Sequence, residues 1–210
     1  MKPKIDYTLY LVTDRNLMSS PTIEELVEQA VKGGCTLIQI REKDAPSLAF
    51  YKTAMKLREL TSRLEVPLIV NDRVDIALAI NADGVHIGQD DLPLEVVRQI
   101  IGHDKIIGVS ASNLTQALQA EEGGADYLGI GAMFATGTKT DANITTLEEL
   151  QQIREATSLP IVVIGGINRD TVPLFHNSGI DGLAVVSAIA ARDDVAGAAQ
   201  ELKRLFLEGM

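Results

Sequence analysis

Cysteine occurs once in the 210 residues, at Cys35. A lone thiol excludes an internal disulfide and a cysteine-based zinc site. Cys35 reads instead as a small buried residue just before a strand. No apolar run approaches the roughly 18 residues that a membrane span needs. The opening MKPKIDYTLY lacks the apolar core and cleavage pattern of a signal peptide, so a soluble cytoplasmic protein is expected. Basic residues are in the minority, with 19 Lys and Arg against 29 Asp and Glu, for a formal net charge of −10. That sign argues against nucleic acid or an anionic membrane as a partner. Any anion bound must therefore be small and held by local groups. HExxH and Walker-type lysine motifs are absent. Ser110 and Ser187 have no evident histidine–acid partners, which speaks against a hydrolase triad.

What is present is a regular alternation of short apolar runs and amphipathic segments. The runs are Leu9–Thr13, Thr36–Ile40, Leu68–Asn71, Gly84–Ile87, Ile106–Ser110, Tyr127–Ile130, Ile161–Ile164 and Gly182–Val186. Helical patterns follow them at Thr22–Lys32, Leu48–Leu64, Val74–Ile80, Leu94–Ile101, Leu114–Glu122, Thr146–Ala156, Arg169–Asn177 and Val195–Leu207. Pro21-Thr22 would open the first helix with an N1 proline, and Gly33-Gly34 would end it. Such alternation with short connections implies a parallel sheet. Eight units in this length predict a single (β/α)8 TIM barrel spanning residues 1–210. The rival open sheet would normally carry a glycine-rich first turn, whereas the first strand here runs into Val12-Thr13-Asp14-Arg15-Asn16.

In such a barrel the active site lies at the C-terminal ends of the strands, and unusual polar residues gather there. Gln39, Arg41 and Lys43 fall at every second position, placing an amide, a guanidinium and an ammonium on one strand face. Ile38 and Ile40 point the other way. The row suits either a solvated edge strand or an anion site. Asn71 and Asp72 end the third strand. His86, then Gln89, Asp90 and Asp91, follow on the fourth, and Ser110 ends the fifth. Asp72 and Asp91 suit either helix N-caps or a shared hard cation; beside Arg41, Lys43 and Lys139 the metal–diphosphate reading is preferred. Gly165-Gly166 and Val186-Ser187 end the seventh and eighth strands, where this fold cradles phosphate. The Thr- and Gly-rich connection from Gly131 to Asn143 has the length of a lid, from which Lys139 would reach a phosphate. His86, inside a strand, reads as a satisfied core histidine, and His103 and His176 as surface residues.

These motifs together resemble the thiamine-phosphate synthase family: QIREK at Gln39–Lys43, ND at Asn71-Asp72, HIGQDD at His86–Asp91, Ser110, TGTK at Thr136–Lys139, GGI at Gly165–Ile167 and VVSAI at Val185–Ile189. The resemblance implies transfer of an aminopyrimidine-methyl group from its diphosphate to the nitrogen of a thiazole phosphate. On it, Gln39, Ile40, Arg41, Glu42, Lys43, Asn71 and Lys139 would hold the pyrimidine diphosphate. Asp72 and Asp91 would bind one Mg2+ per subunit. Ser110 would touch the pyrimidine or the forming cation. Thr136, Gly137, Thr138, Gly166, Val186 and Ser187 would hold the thiazole phosphate. Arg41, Lys43, Ser110 and Lys139 would carry the catalysis. Ala132 and Ala135 stand where the family often has proline. A thiazole tautomerase of the same superfamily and a non-catalytic thiamine-phosphate sensor are the alternatives. The partners expected are the two small-molecule substrates, with a homo-oligomer compatible with the sequence.

Overall fold

The computed structural model describes residues 2–135 and 144–210. Eight strands, all parallel and paired in chain order, close into a barrel. They are β1 (Leu9–Val12), β2 (Leu37–Ile40), β3 (Leu68–Asn71), β4 (Gly84–Ile87), β5 (Ile106–Ala111), β6 (Tyr127–Ile130), β7 (Ile161–Val163) and β8 (Gly182–Val185). Around them lie α1 (Ile23–Lys32), α2 (Ser47–Arg63), α3 (Val74–Ala79), α4 (Leu94–Ile101), α5 (Leu114–Glu122), α6 (Leu147–Ala156), α7 (Ser187–Ala190) and α8 (Val195–Leu207). Closure leaves no edge strand, so the exposed-edge explanation of the Gln39–Lys43 row falls away.

Period-two geometry sorts each strand into two cores. Leu9, Leu11, Ile38, Ile40, Leu68 and Val70 face the helices in the larger outer layer. Tyr10, Val12, Leu37, Ile69, Ile106, Tyr127, Val162 and Ala184 fill the lumen. Cys35 is buried as expected, and burial pushes its thiol up to about 12, a poor nucleophile.

Three local expectations are corrected. Thr22 is the N-cap of α1, its hydroxyl accepting from the Glu25 N–H at 3.1 Å. Pro21 therefore lies ahead of the cap and not at the first helical position. The helix expected over Arg169–Asn177 is only a 3-10 turn at Val172–Phe175. Pro173 has no N–H with which to bond the Arg169 carbonyl and extend the helix backwards, and Asn177 turns left-handed at φ 60°. The short α7 after β8 was not anticipated.

The N-terminal face of the barrel repeats one device around the ring. Asp83, Asp126 and Asp181 each stand just before an even-numbered strand. Each carboxylate accepts a backbone N–H at the start of the preceding strand, from Leu68, Ile107 and Ile161, all at 2.8 Å. Each also pairs with an arginine of an even-numbered helix: Arg58 at 2.6 Å, Arg98 at 2.6 Å and Arg154 at 3.4 Å. The fourth quarter uses a hydroxyl and an ammonium in place of the carboxylate–guanidinium pair. Thr36 Oγ1 accepts from the Leu9 N–H, and Lys203 donates to the Gly34 carbonyl. Strand starts, which have no ladder partner of their own, are thus satisfied by side chains that also tie sheet to helix.

Among these, Arg98 and Asp126 are the most buried, at 11% and 14% side-chain exposure. Asp126→Ala should cost about 3 kcal/mol, because it leaves the buried Arg98 guanidinium with carbonyl partners but no counter-charge and the Ile107 N–H without its acceptor. Asp181→Ala, with a longer and wetter pair, should cost clearly less. Urea unfolding of both variants checks the order; equal losses would reject the argument.

Candidate active site

The C-terminal mouth of the barrel opens into a cavity of about 290 Å3. Its wall takes Gln39, Arg41 and Lys43 from β2 and its loop, Asn71 and Asp72 from β3, and Gln89, Asp90 and Asp91 from the turn after β4. Ser110, Gly165, Gly166, Val186 and Ser187 complete it. Strand β2 stops at Ile40, so Arg41 and Lys43 lie beyond the regular strand. Both still reach the mouth. Arg41 is steadied by the preceding loop: its N–H donates to Thr13 Oγ1 at 3.1 Å, and its guanidinium meets Asp14 at 3.0 Å.

The helix-cap readings of the two acids do not hold. The α3 cap position is Arg73 and the α4 cap position is Pro93, neither with a side-chain cap bond. Asp72 sits in the left-handed region at φ 60°, a conformation that aspartate tolerates better than most residues. Its N–H donates to the His86 carbonyl at 2.8 Å. Asp91 accepts from the Gly88 N–H at 2.7 Å, which tightens the turn and aims the carboxylate inward. Burial, then the hydrogen bond and charge of Asp91, raise Asp72 to about 6. Two carboxylates in hydrogen-bond reach, one partly desolvated, form a donor set that a cation would relieve. Among the described residues no group of three or more His, Cys, Asp or Glu gathers for a metal. A pair fits magnesium, which takes one or two carboxylates and keeps waters or substrate oxygens.

Beneath the mouth a line of hydrogen bonds crosses the lumen. Gln39 Nε2 donates to the Tyr10 hydroxyl at 2.6 Å, and Tyr10 meets Tyr127 at 2.8 Å. The Tyr127 hydroxyl lies 2.9 Å from His86 Nδ1, and His86 Nε2 lies 2.9 Å from Ser110 Oγ. Missing side chains at Gly108 and Gly129 make room: a Cβ there would stand 2.1 Å from Tyr127 Cζ and 2.9 Å from His86 Cε1. His86 is buried and satisfied as expected, yet it also forms part of the cavity wall. Ser110 therefore does have a histidine partner, contrary to expectation. The acid of a triad is still missing, since Nδ1 faces a phenol. Burial pushes His86 down to about 4, with Asp91 opposing weakly, which leaves a neutral imidazole and a weak base.

On the far side, Gly165 and Gly166 take φ of 93° and 68°, which L side chains rarely adopt. Asn168 Nδ2 and Thr171 Oγ1 hold the Gly166 carbonyl at 3.0 and 3.2 Å, so that turn is braced from behind. Helix α7 begins at Ser187 beside it, and its first N–H groups have no acceptor within the helix.

A family model described as thiamine monophosphate synthase matches residues 9–189. The chain belongs to that family. The thiamine-phosphate synthase of Clostridium beijerinckii is 61% identical over 99% of this chain and 100% of its own length. That of Ruminiclostridium cellulolyticum is 55% identical over 99% of both. The solved thiamine phosphate pyrophosphorylase of Pyrococcus furiosus superposes with a TM-score of 0.90 at 42% identity, covering 98% of each chain. This family member is a transferase enzyme. No helix among its described residues is long and apolar enough to cross a membrane.

Against the family's motif positions, two side chains point elsewhere. Ile40 is fully buried in the outer core, and Glu42 is engaged by Arg15 at 2.7 Å; neither is on the cavity wall. Strand alternation sends Ile40 away from the lumen, and Glu42, beyond the end of the strand, is turned aside by its pair with Arg15. Thr136, Gly137, Thr138 and Lys139 lie outside the described residues. Sequence reasoning passed over Asp14, Tyr10 and Tyr127. The adjacency of Asp14 to the first strand end was the available signal, whereas both tyrosines looked like ordinary core.

Without divalent cations, Asp72 should impose a pH dependence on stability. Its folded value of about 6 stands above the ordinary 3.8. The stabilisation is complete below that ordinary value and is lost as pH rises through about 6. In chelator-containing buffer, Asp72→Asn should flatten the decline of Tm across this window. An unchanged slope would reject the assignment.

Proposed function

We propose that this enzyme joins an aminopyrimidine-methyl group, delivered as its diphosphate, to the ring nitrogen of a thiazole phosphate, with Mg2+ at Asp72 and Asp91. The observation that carries this reading is the pairing, around one mouth, of Arg41 and Lys43 with the two carboxylates, opposite the glycine turn and Ser187. The relatives named above, thiamine-phosphate synthases, support thiamine phosphate as the product. A tautomerase would have no use for a diphosphate-binding half, and a sensor would need no cation pair beside it.

The chemistry asked of the residues is charge stabilisation. The bond between the methylene carbon and the diphosphate oxygen breaks, and its electron pair leaves with the diphosphate. Arg41 and Lys43, with Lys139 from the connection after β6, would neutralise that charge. A bound magnesium ion would add Lewis-acid neutralisation of the same oxygens. The electron-rich aminopyrimidine stabilises the cation left behind, and the thiazole nitrogen lone pair then forms the new C–N bond. No strong base is required, which agrees with a neutral His86. Gly166, Val186 and Ser187, with Thr136, Gly137 and Thr138, would hold the thiazole phosphate, so that positioning supplies the rest. Gln39, Asn71 and Ser110 would orient the pyrimidine.

The deciding experiment incubates the protein with both substrates, with and without magnesium, and quantifies both products. Magnesium-dependent formation of the two in equal amounts is expected. Isomerisation of the thiazole phosphate without coupling would favour the tautomerase, and tight product binding without turnover the sensor. Asp91→Ala and Lys139→Ala should each lower turnover about 10²-fold or more; near-wild-type rates at saturating magnesium reject those roles. Ser187→Pro removes a backbone donor and should mainly raise the thiazole-phosphate KM.

A further inference from the structure

The line of hydrogen bonds across the lumen has a direction. Gln39 Nε2 can only donate, so the Tyr10 oxygen accepts from it at 2.6 Å. A phenol has one proton, and the remaining partner of Tyr10 is the Tyr127 hydroxyl at 2.8 Å. Tyr10 therefore donates to Tyr127, and Tyr127 in turn donates to His86 Nδ1 at 2.9 Å. An imidazole that accepts at Nδ1 and is neutral carries its proton on Nε2. That N–H donates to Ser110 Oγ at 2.9 Å. Among the hydroxyls and the imidazole of the line, the Ser110 proton is then the one without a partner inside it, and Ser110 is on the cavity wall.

Burial keeps every member uncharged. Tyr10 and Tyr127 are 1% and 0% exposed, and burial raises both phenols well above their ordinary value. The same burial lowers His86. A line of neutral groups has only two polarities, and the donor at its far end selects between them.

We propose that Gln39, Tyr10, Tyr127 and His86 form a one-way chain that presents the Ser110 hydroxyl to the cavity as a hydrogen-bond donor, holding an acceptor atom of the bound pyrimidine without protonating it. The inference rests on the reading of the cavity as the pyrimidine site. Its value there follows from the charge that develops. A charged acid at this position would protonate the ring or repel the forming cation, whereas a neutral hydroxyl fixes the ring and leaves it electron-rich. Tyr10, Tyr127 and His86 are thus positioning residues that act through Ser110.

The test reads the proton positions directly in the substrate-free protein. Three histidines are present, so 15N-histidine NMR resolves them, with His86→Gln assigning the ring of interest. Wild type should show His86 protonated at Nε2 and bare at Nδ1. Gln39→Glu, studied above neutral pH with folding checked by melting, replaces the terminal donor with an acceptor. It should reverse the line and move the His86 proton to Nδ1, three hydrogen bonds away. Tyr10→Phe, a milder change, should leave a mixture of the two tautomers. Tyr127→Phe should lower turnover about tenfold, the size of one hydrogen bond, with the thiazole-phosphate KM unchanged. A wild-type His86 protonated at Nδ1, or a folded Gln39→Glu protein with an unmoved proton, would overturn the proposal. So would full turnover in Tyr127→Phe. The expected tautomers in a protein that makes no thiamine phosphate would overturn the substrate reading and leave the relay standing.

Discussion

Closing eight parallel strands sends alternate residues of every strand into one shared lumen, and that space must be filled without stranding a polar group. Here the filling is aromatic and polar at once. Tyr10 and Tyr127 occupy the lumen edge to face, with ring centroids 6.1 Å apart. Their hydroxyls reach Gln39 on one side and His86 on the other, and no buried side-chain polar atom among the described residues lacks a partner. An unpaired phenol at this depth would cost more than a good hydrogen bond returns. The floor of the cavity and the core of the barrel are consequently one structure. Glycines on β5 and β6 complete it by leaving room for the rings.

Charge is distributed by the same economy. The chain is acidic overall, yet the cations at the mouth are not surrounded by it indiscriminately. Asp14 steadies Arg41, and Glu42 is taken up by Arg15, so the neighbouring acids orient or are neutralised before they reach the cavity. Asp72 and Asp91 are pressed together instead. Their mutual repulsion makes that corner receptive to a cation. On the opposite face, the Asp–Arg pairs before β4, β6 and β8 serve only the strand starts. Function at one end and stability at the other is the division expected of this architecture.

Most strand and helix positions were legible because hydrophobic periodicity is a local property: Leu68–Asn71, Leu94–Ile101 and Leu114–Glu122 match their expected bounds. The segment at Arg169–Asn177 was misread because Pro173 overrides an otherwise helical pattern. Gln39, Arg41, Lys43, Asn71, Asp72, Asp91 and Ser110 could be foreseen at the mouth, since each ends a strand or follows one. The Ile40 and Glu42 side chains lie off the cavity wall, the first because alternation within β2 turns it outward and the second because Arg15 holds it.

By itself, then, the sequence determined the alternation of elements, the end of the barrel at which polar groups collect, and the family to which the motifs belong. The first two follow from residue spacing along the chain, and the family from the resemblance of its motifs. Only the tertiary structure decided that Asp72 and Asp91 meet, that Asp14 holds Arg41, and that Ser110 has a histidine behind it. Those contacts join residues from different strands, and their geometry comes into being when the barrel closes.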